Sequence, residues 1–232
     1  YFWDHFGQEN THILAEYVGG YATMNLSGGV PAIANDARIN ANGRKGSKIP
    51  ARYIPVGQGF FVNASIDDVS GNNYNVQGGT VKFENHQRIF QRENPGNSQF
   101  LMQEERSKSP QQAVTSDLRP KIRLQFHSPE GYHRQLLVTG DLNATEGVDL
   151  GYDAPLIENN KEDLYWLVND ESMVIQAVPQ FGGELELPLG MRVSSAKEFE
   201  ISIDSLENWS PSKEIYLKDQ KLDSLHDLRQ AS

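Results

Sequence analysis

The sequence predicts an all-β protein, an antiparallel β-sandwich of the jelly-roll kind laid out either as one sandwich or as two lobes. Short runs rich in Val, Ile, Tyr and Phe recur along the 232 residues, and clusters of Gly, Asn, Asp, Ser and Pro separate them. No stretch carries the 3.6-residue apolar period of a long amphipathic helix. A series of short strands without intervening helices points to antiparallel pairing in a sandwich or jelly roll.

In chain order, Tyr1-Phe2-Trp3-Asp4 reads as a strand entered in its middle. With neither a start methionine nor a signal peptide ahead of it, the expectation is a piece of something longer. The polar tract 35–47, with Asn40, Asn42, Gly43 and Gly46, reads as a loop. Residues 52–64 give the clearest apolar run, in which Gly57 and Gly59 bracket Gln58 ahead of Phe60-Phe61-Val62. They predict a buried strand with a bulge or a close backbone approach. Thr80-Val81-Lys82-Phe83 alternates as a half-buried strand does. From 91 to 116 the chain turns polar around Asn94-Pro95-Gly96-Asn97, which marks a long excursion or a boundary between an N-terminal lobe, 1–93, and an immunoglobulin-like C-terminal lobe, 117–232.

Lys121-Ile122-Arg123-Leu124-Gln125-Phe126 and Arg134-Gln135-Leu136-Leu137-Val138 flank Ser128-Pro129-Glu130-Gly131 and predict a hairpin. Further strands are predicted at 164–168, 173–178, 184–187, 199–203 and 214–217. The closing pair, 215–219 and 224–228, would leave a sheet edge open.

Composition narrows the function classes. Lys plus Arg number 21 against 31 Asp plus Glu, a net charge of −10, which repels nucleic acid and anionic membrane surfaces. The absence of cysteine excludes disulfides, thiolate zinc and thiol catalysis. No apolar run approaches the roughly 20 residues of a membrane helix, so no membrane insertion of that kind is expected.

The richest candidate site is the loop 141–153, where Asp141, Asn143, Glu146, Asp149 and Asp153 lie among Gly147 and Gly151. Hard oxygen ligands beside turn-forming glycines suit calcium, although the spacing departs from the EF-hand pattern and the same residue types simply build loops. His127 and His133 are placed to face each other across the predicted hairpin; zinc there would need a third ligand that the sequence does not identify. The adjacent carboxylates Asp67-Asp68, Glu104-Glu105 and Asp170-Glu171 would point to opposite faces of a strand, whereas glycoside hydrolysis needs two carboxyls converging about 5–9 Å apart. There is no Gly-x-Ser-x-Gly elbow, P-loop or dinucleotide fingerprint, so no catalytic residue is assigned. Among the aromatics, Trp166 reads as core, while Tyr152 and Trp209 lie in turns where a ring can stack on a sugar.

Taken in order, Tyr1 to Asp4, Gly20 to Thr23, Val56 to Val62, Ala144 to Ala154, Pro188 to Gly190 and Ile215 to Leu228 resemble the scaffold of large secreted Bacteroidota proteins that carry a type IX secretion sorting domain. The specificity lies in the order of six modest motifs. Such proteins usually have a Gly-Asn-Pro-Tyr-Pro-Ser strand ahead of the first motif and a strand pair with the sorting domain behind the last; neither lies within these residues. The resemblance implies a non-catalytic structural or adhesive module at the extracellular cell surface, whose export partner, the type IX machinery, acts on a flanking sorting domain. It implies no cofactor, calcium being the one ion that the loop residues suit. A carbohydrate-binding module taking surface polysaccharide, or another surface ligand, through Tyr152 and Trp209 is the alternative. A glycoside hydrolase or esterase with carboxylates drawn from distant segments is the second.

Overall fold

The computed structural model describes residues 1–6, 19–33, 46, 48–62, 82–92, 98, 101, 117–158, 160–182 and 185–230. The protein is all-β: these residues form strands and a single 3-10 turn at Asn85–Gln87, with no α-helix among them.

The first sheet has the antiparallel order β1 (Phe2–Asp4), β2 (Gly20–Met24), β3 (Gly29–Ile33). Its β2–β3 turn is closed by Asn25, whose Oδ1 accepts the amides of Ser27 at 2.9 Å and Gly28 at 3.3 Å, the local bond that makes Asn a turn residue. Phe60 bridges to Phe2 and the Phe61 amide donates to the Tyr1 carbonyl at 2.9 Å, so this short segment lies along the free side of β1.

The second sheet has the order β10 (Glu200–Glu207), β4 (Lys121–His127), β5 (His133–Gly140), β8 (Glu171–Val178), β7 (Asp163–Val168), β9 (Leu189–Arg192), and β6 (Ala154–Pro155) also pairs with β8. Two tight turns explain two of its pairings. Gly131, at φ 86°, closes β4 onto β5. Asn169 and Asp170, at φ 49° and 67°, join β7 to β8, and two successive positive φ values supply the twist that a two-residue hairpin needs. The β5–β8 pair is parallel, so the sheet is mixed where the sequence predicted antiparallel pairing throughout. A parallel neighbour requires a long connection, and the loop 141–153 begins it.

The core lies on this sheet: Phe126, Leu136, Leu137, Leu164, Trp166, Met173, Ile175 and Val178 are among its buried members, each stabilising by roughly 1.5–3 kcal/mol. Trp166 is core, as expected, and its indole Nε1 donates to the Leu137 carbonyl at 3.0 Å. The closing pair forms its own antiparallel ribbon, β11 (Tyr216–Asp219) with β12 (Ser224–Asp227), which packs on the core through Ile215, Leu217 and Leu228.

The first sheet meets the second through Val30, which belongs to the same core, and through the carbonyls and side chains of its β2–β3 turn. Arg123 Nη1 donates to the Gly29 carbonyl at 2.7 Å and Thr139 Oγ1 to that of Ser27 at 3.0 Å. Ser27 Oγ and Asn25 Nδ2 in turn donate to the Tyr152 carbonyl, at 2.6 and 2.7 Å.

Two predicted strands are corrected. Residues 52–62 are not a buried strand: Gly57, at φ 89°, turns the chain, and Val56, Phe61 and Val62 stand in solvent. Of that run only Gln58 is buried, its Oε1 accepting the Leu101 amide at 3.0 Å. Of the strand predicted at 184–187, residue 184 lies outside the described residues and 185–187 are not in a strand; pairing begins at Leu189–Arg192, where Gly190 lets the backbone run beneath the Tyr165 ring. Most of the tracts 35–47 and 91–116, and residues 80–81, lie outside the described residues. Lys82 and Phe83 are exposed and belong to no strand.

Candidate functional site

The 141–153 loop is held together by its own carboxylates. Asp141 Oδ1 accepts the Asn143 amide at 2.9 Å while Oδ2 takes Arg119 Nη1 at 2.7 Å. Asp149 Oδ2 accepts the Thr145 amide at 2.5 Å. Asp153 uses both oxygens on backbone, Oδ2 on the Asp149 amide at 2.5 Å and Oδ1 on the Ala177 amide of β8 at 2.7 Å. Burial raises the Asp153 pKa, and those two amide bonds counter it in part. Glu146 lies apart, on an open depression of about 400 Å³ lined also by Pro179, Gln180 and Glu186. As the side chains stand, then, Asp141, Asp149 and Asp153 aim at backbone amides and a guanidinium, and no three His, Asp or Glu groups among the described residues are gathered as metal ligands.

Tyr152, half-buried, contributes its carbonyl to the junction between the sheets. Trp209 is half-buried too: Phe181 meets it edge-on at 4.9 Å between centroids, its Nε1 donates to the Lys213 carbonyl at 3.3 Å, and Lys213 Nζ lies 5.6 Å from its ring centre. Asp170 is in the β7–β8 turn and Glu171 opens β8, both exposed; Asp67, Asp68, Glu104 and Glu105 lie outside the described residues.

The strongest electrostatic feature was not anticipated. Arg134, buried on the core side of β5, donates Nε and Nη2 to Asp163 at 2.8 and 2.7 Å and Nη1 to Glu158 at 3.2 Å. Burial disfavours its charge, but the two buried carboxylates override that and hold its pKa above the usual arginine range. Beside it Glu162 accepts the hydroxyls of Ser128, at 2.5 Å, and Ser194. One signal could have found this cluster: Arg134 alternates in phase with Leu136, a cation at a core-facing position that only a buried anion makes tolerable.

The first sheet holds the opposite case. Asp4 is fully buried, and among the described residues neither carboxylate oxygen has a hydrogen-bond partner. Burial pushes its pKa up to about 6, with Lys48 pulling the other way. Around it the aromatic rings run in two strings, Phe2–Phe60–Phe83 with centroids 6.0 and 6.4 Å apart, and Trp3–Tyr21–Phe61 at 5.1 and 5.7 Å. Their outer members stay exposed, Phe61 at 64% and Phe83 at 73%, as does Val62 at 61%.

Across the β4–β5 hairpin His127 and His133 do stand opposite one another, with Nδ1 atoms 2.5 Å apart and rings crossed at 78°.

These features define an all-β domain whose loop carboxylates brace backbone and whose first sheet leaves aromatic rings exposed. The chain belongs to the family described as a domain of unknown function, DUF8693, whose model matches residues 1–232. No curated protein and no solved structure matches it.

Proposed function

We propose that this domain is a non-enzymatic structural and adhesive module of a secreted bacterial cell-surface protein, exported by type IX secretion through a sorting domain carried elsewhere in the polypeptide. The observation that carries the adhesive part is the pair of aromatic strings that starts from the two sides of β1 and ends in the exposed rings Phe61 and Phe83, with Val62 exposed next to Phe61. Large apolar side chains left exposed near one another mark a contact for another molecule. Their aromatic and aliphatic character suits the apolar core of a protein interface. The export part rests on the ordered motifs from Tyr1 to Leu228. The self-braced loop 141–153 supports a scaffold role, since its carboxylates are engaged in holding backbone.

Two measurements test the reading. Protease digestion of intact cells is expected to remove the native protein, and inactivation of the type IX machinery to protect it; a protein shielded in both strains would remove the export part. Adhesion of the isolated domain to the surface proteins of its own cells is expected to fall at least about tenfold when Phe61 and Phe83 are both changed to Ser, as for the anchors of an interface. Unaltered adhesion, or retention on polysaccharide that survives those changes, would remove the adhesive part and favour glycan binding elsewhere on the surface.

A further inference from the structure

His127 and His133 are directly opposed residues of β4 and β5, and Glu200 of β10 is directly opposite His127 on its other side. Opposed residues of antiparallel strands share a face, and adjacent strands lie roughly 4.8 Å apart. The three side chains therefore form one row, Glu200–His127–His133, on the face away from the Phe126–Phe199 stack.

Two observations set this row apart from a chance neighbourhood of polar groups. The histidine Nδ1 atoms are already in contact at 2.5 Å, which requires one ring to donate the proton that the other accepts; two imidazolium rings could not hold this geometry. A pair sharing a single proton is one that a cation can take over by displacing it. Glu200, moreover, is exposed on the outermost strand of the sheet, free to swing its carboxylate across the row.

We propose that His127, His133 and Glu200 form a surface site for a zinc-type divalent ion that clips β5, β4 and β10 together, with water in the remaining position. The donor set of two imidazoles and one carboxylate is one that zinc accepts in open, four-coordinate sites. As the side chains stand, no three ligands among the described residues are gathered, and two movements would complete the set. Zinc–nitrogen bonds of 2.0–2.1 Å place tetrahedral ligands about 3.3 Å apart, so the Nδ1 atoms must separate by under about 1 Å. Glu200 must turn inward. Nearby, Lys197 is ion-paired with Glu130 of the β4–β5 turn, an anion that offsets its positive charge beside the incoming cation.

The test uses the full chain, stripped of metal and titrated with zinc at neutral pH, with cobalt as a spectroscopic substitute. Wild type is expected to bind a single zinc ion and to give the intense visible absorption of tetrahedral cobalt. H127A and H133A are expected to weaken zinc roughly 100-fold or more and to lose the cobalt band, and E200Q to weaken it about tenfold. Zinc should raise the melting temperature of wild type most, that of E200Q less and that of H127A and H133A least, by mass action on the folded state. H127N serves as the second variant should H127A fold poorly. No binding by wild type at about 1 mM zinc, or equal binding by the double histidine variant, overturns the site. Unchanged affinity in E200Q overturns the assignment of the third ligand.

Discussion

The two sheets bury charge in opposite ways. In the larger one, Arg134 is fully enclosed but meets two carboxylates with near-ideal geometry, and a broad apolar cluster surrounds it. In the smaller one, Asp4 is equally hidden, and among the described residues neither of its oxygens has a hydrogen-bond partner and the buried members of the cluster beside it are Phe2, Ala22, Ala32 and Leu101. Stability is therefore concentrated in the large sheet, which tolerates a buried ion because two carboxylates match it, while the small sheet carries an acid whose burial outweighs the pull of Lys48 and relies on its junction with the larger one.

The sharpest way to break the contrast is to remove the match. R134M leaves Asp163 and Glu158 buried without their cation and is expected to cost about 3–5 kcal/mol, read from the midpoint of urea unfolding. A loss under about 1 kcal/mol would mean that the cluster adds nothing to the large sheet.

D4N should act in the other direction. The folded pKa of Asp4, about 6, exceeds its ordinary value of 3.8, so its contribution to stability is full below 3.8 and is lost as pH rises through about 6. At neutral pH the buried anion therefore disfavours folding, and D4N is expected to stabilise by about 1–3 kcal/mol, with a gain that vanishes near pH 4. Unfolding curves from pH 4 to 8 check it; a pH-independent difference would show that Asp4 does not titrate in that window.

Much of the large sheet was legible because its signals are local. The β4–β5 hairpin is written in two strand runs and the Ser128–Gly131 turn between them, and β11–β12 likewise. The crossed histidines followed from that same hairpin. What failed was non-local. An apolar run such as 52–62 cannot announce whether a neighbour will cover it, and Gly57 reads equally well as a bulge or as the turn that it is. The parallel β5–β8 pair depends on a connection of some thirty residues, and no local pattern encodes it. Glu200 lies some seventy residues beyond the histidines, beside them only through strand register. In the 141–153 loop the sequence pointed to the carboxylates, but their oxygens turn to Thr145, Asn143 and Ala177, partners that the loop's own composition does not specify.

A third prediction concerns the edge of the large sheet. Gly190 faces Tyr165 across β9 and β7, and a Cβ there would lie 2.1 Å from Tyr165 Cε2. G190A must push the ring aside and is expected to cost about 1–2 kcal/mol, as overpacking does. In a Tyr165→Ala background the same change should cost little, and a double-mutant cycle separates the two. Additive losses would show that the ring over the glycine is incidental.

The smallest effect tests the junction itself. Arg119 clasps Asp117 at 2.6 Å, Asp141 at 2.7 Å and the Leu26 carbonyl of the first sheet at 2.9 Å, yet it is partly solvated, and R119A is expected to cost only about 1 kcal/mol. The informative readout is which carboxyl responds. Asp117 is held well below the usual carboxylate range chiefly by the Arg119 side chain, so its pKa should climb in the variant. Asp141 is depressed first by the Asn143 amide and only then by Arg119, so it should stay low. Both folded values lie below the ordinary 3.8, so the stability that Arg119 supplies is present above that pH. It fades as the pH falls through the depressed values, where wild type and variant must converge. Carbon-detected NMR titration of the two carboxyls resolves them. Equal shifts at Asp117 and Asp141 would mean that the loop holds Asp141 through the guanidinium rather than through its own backbone, and that the brace between the sheets is one charge network instead of two independent supports.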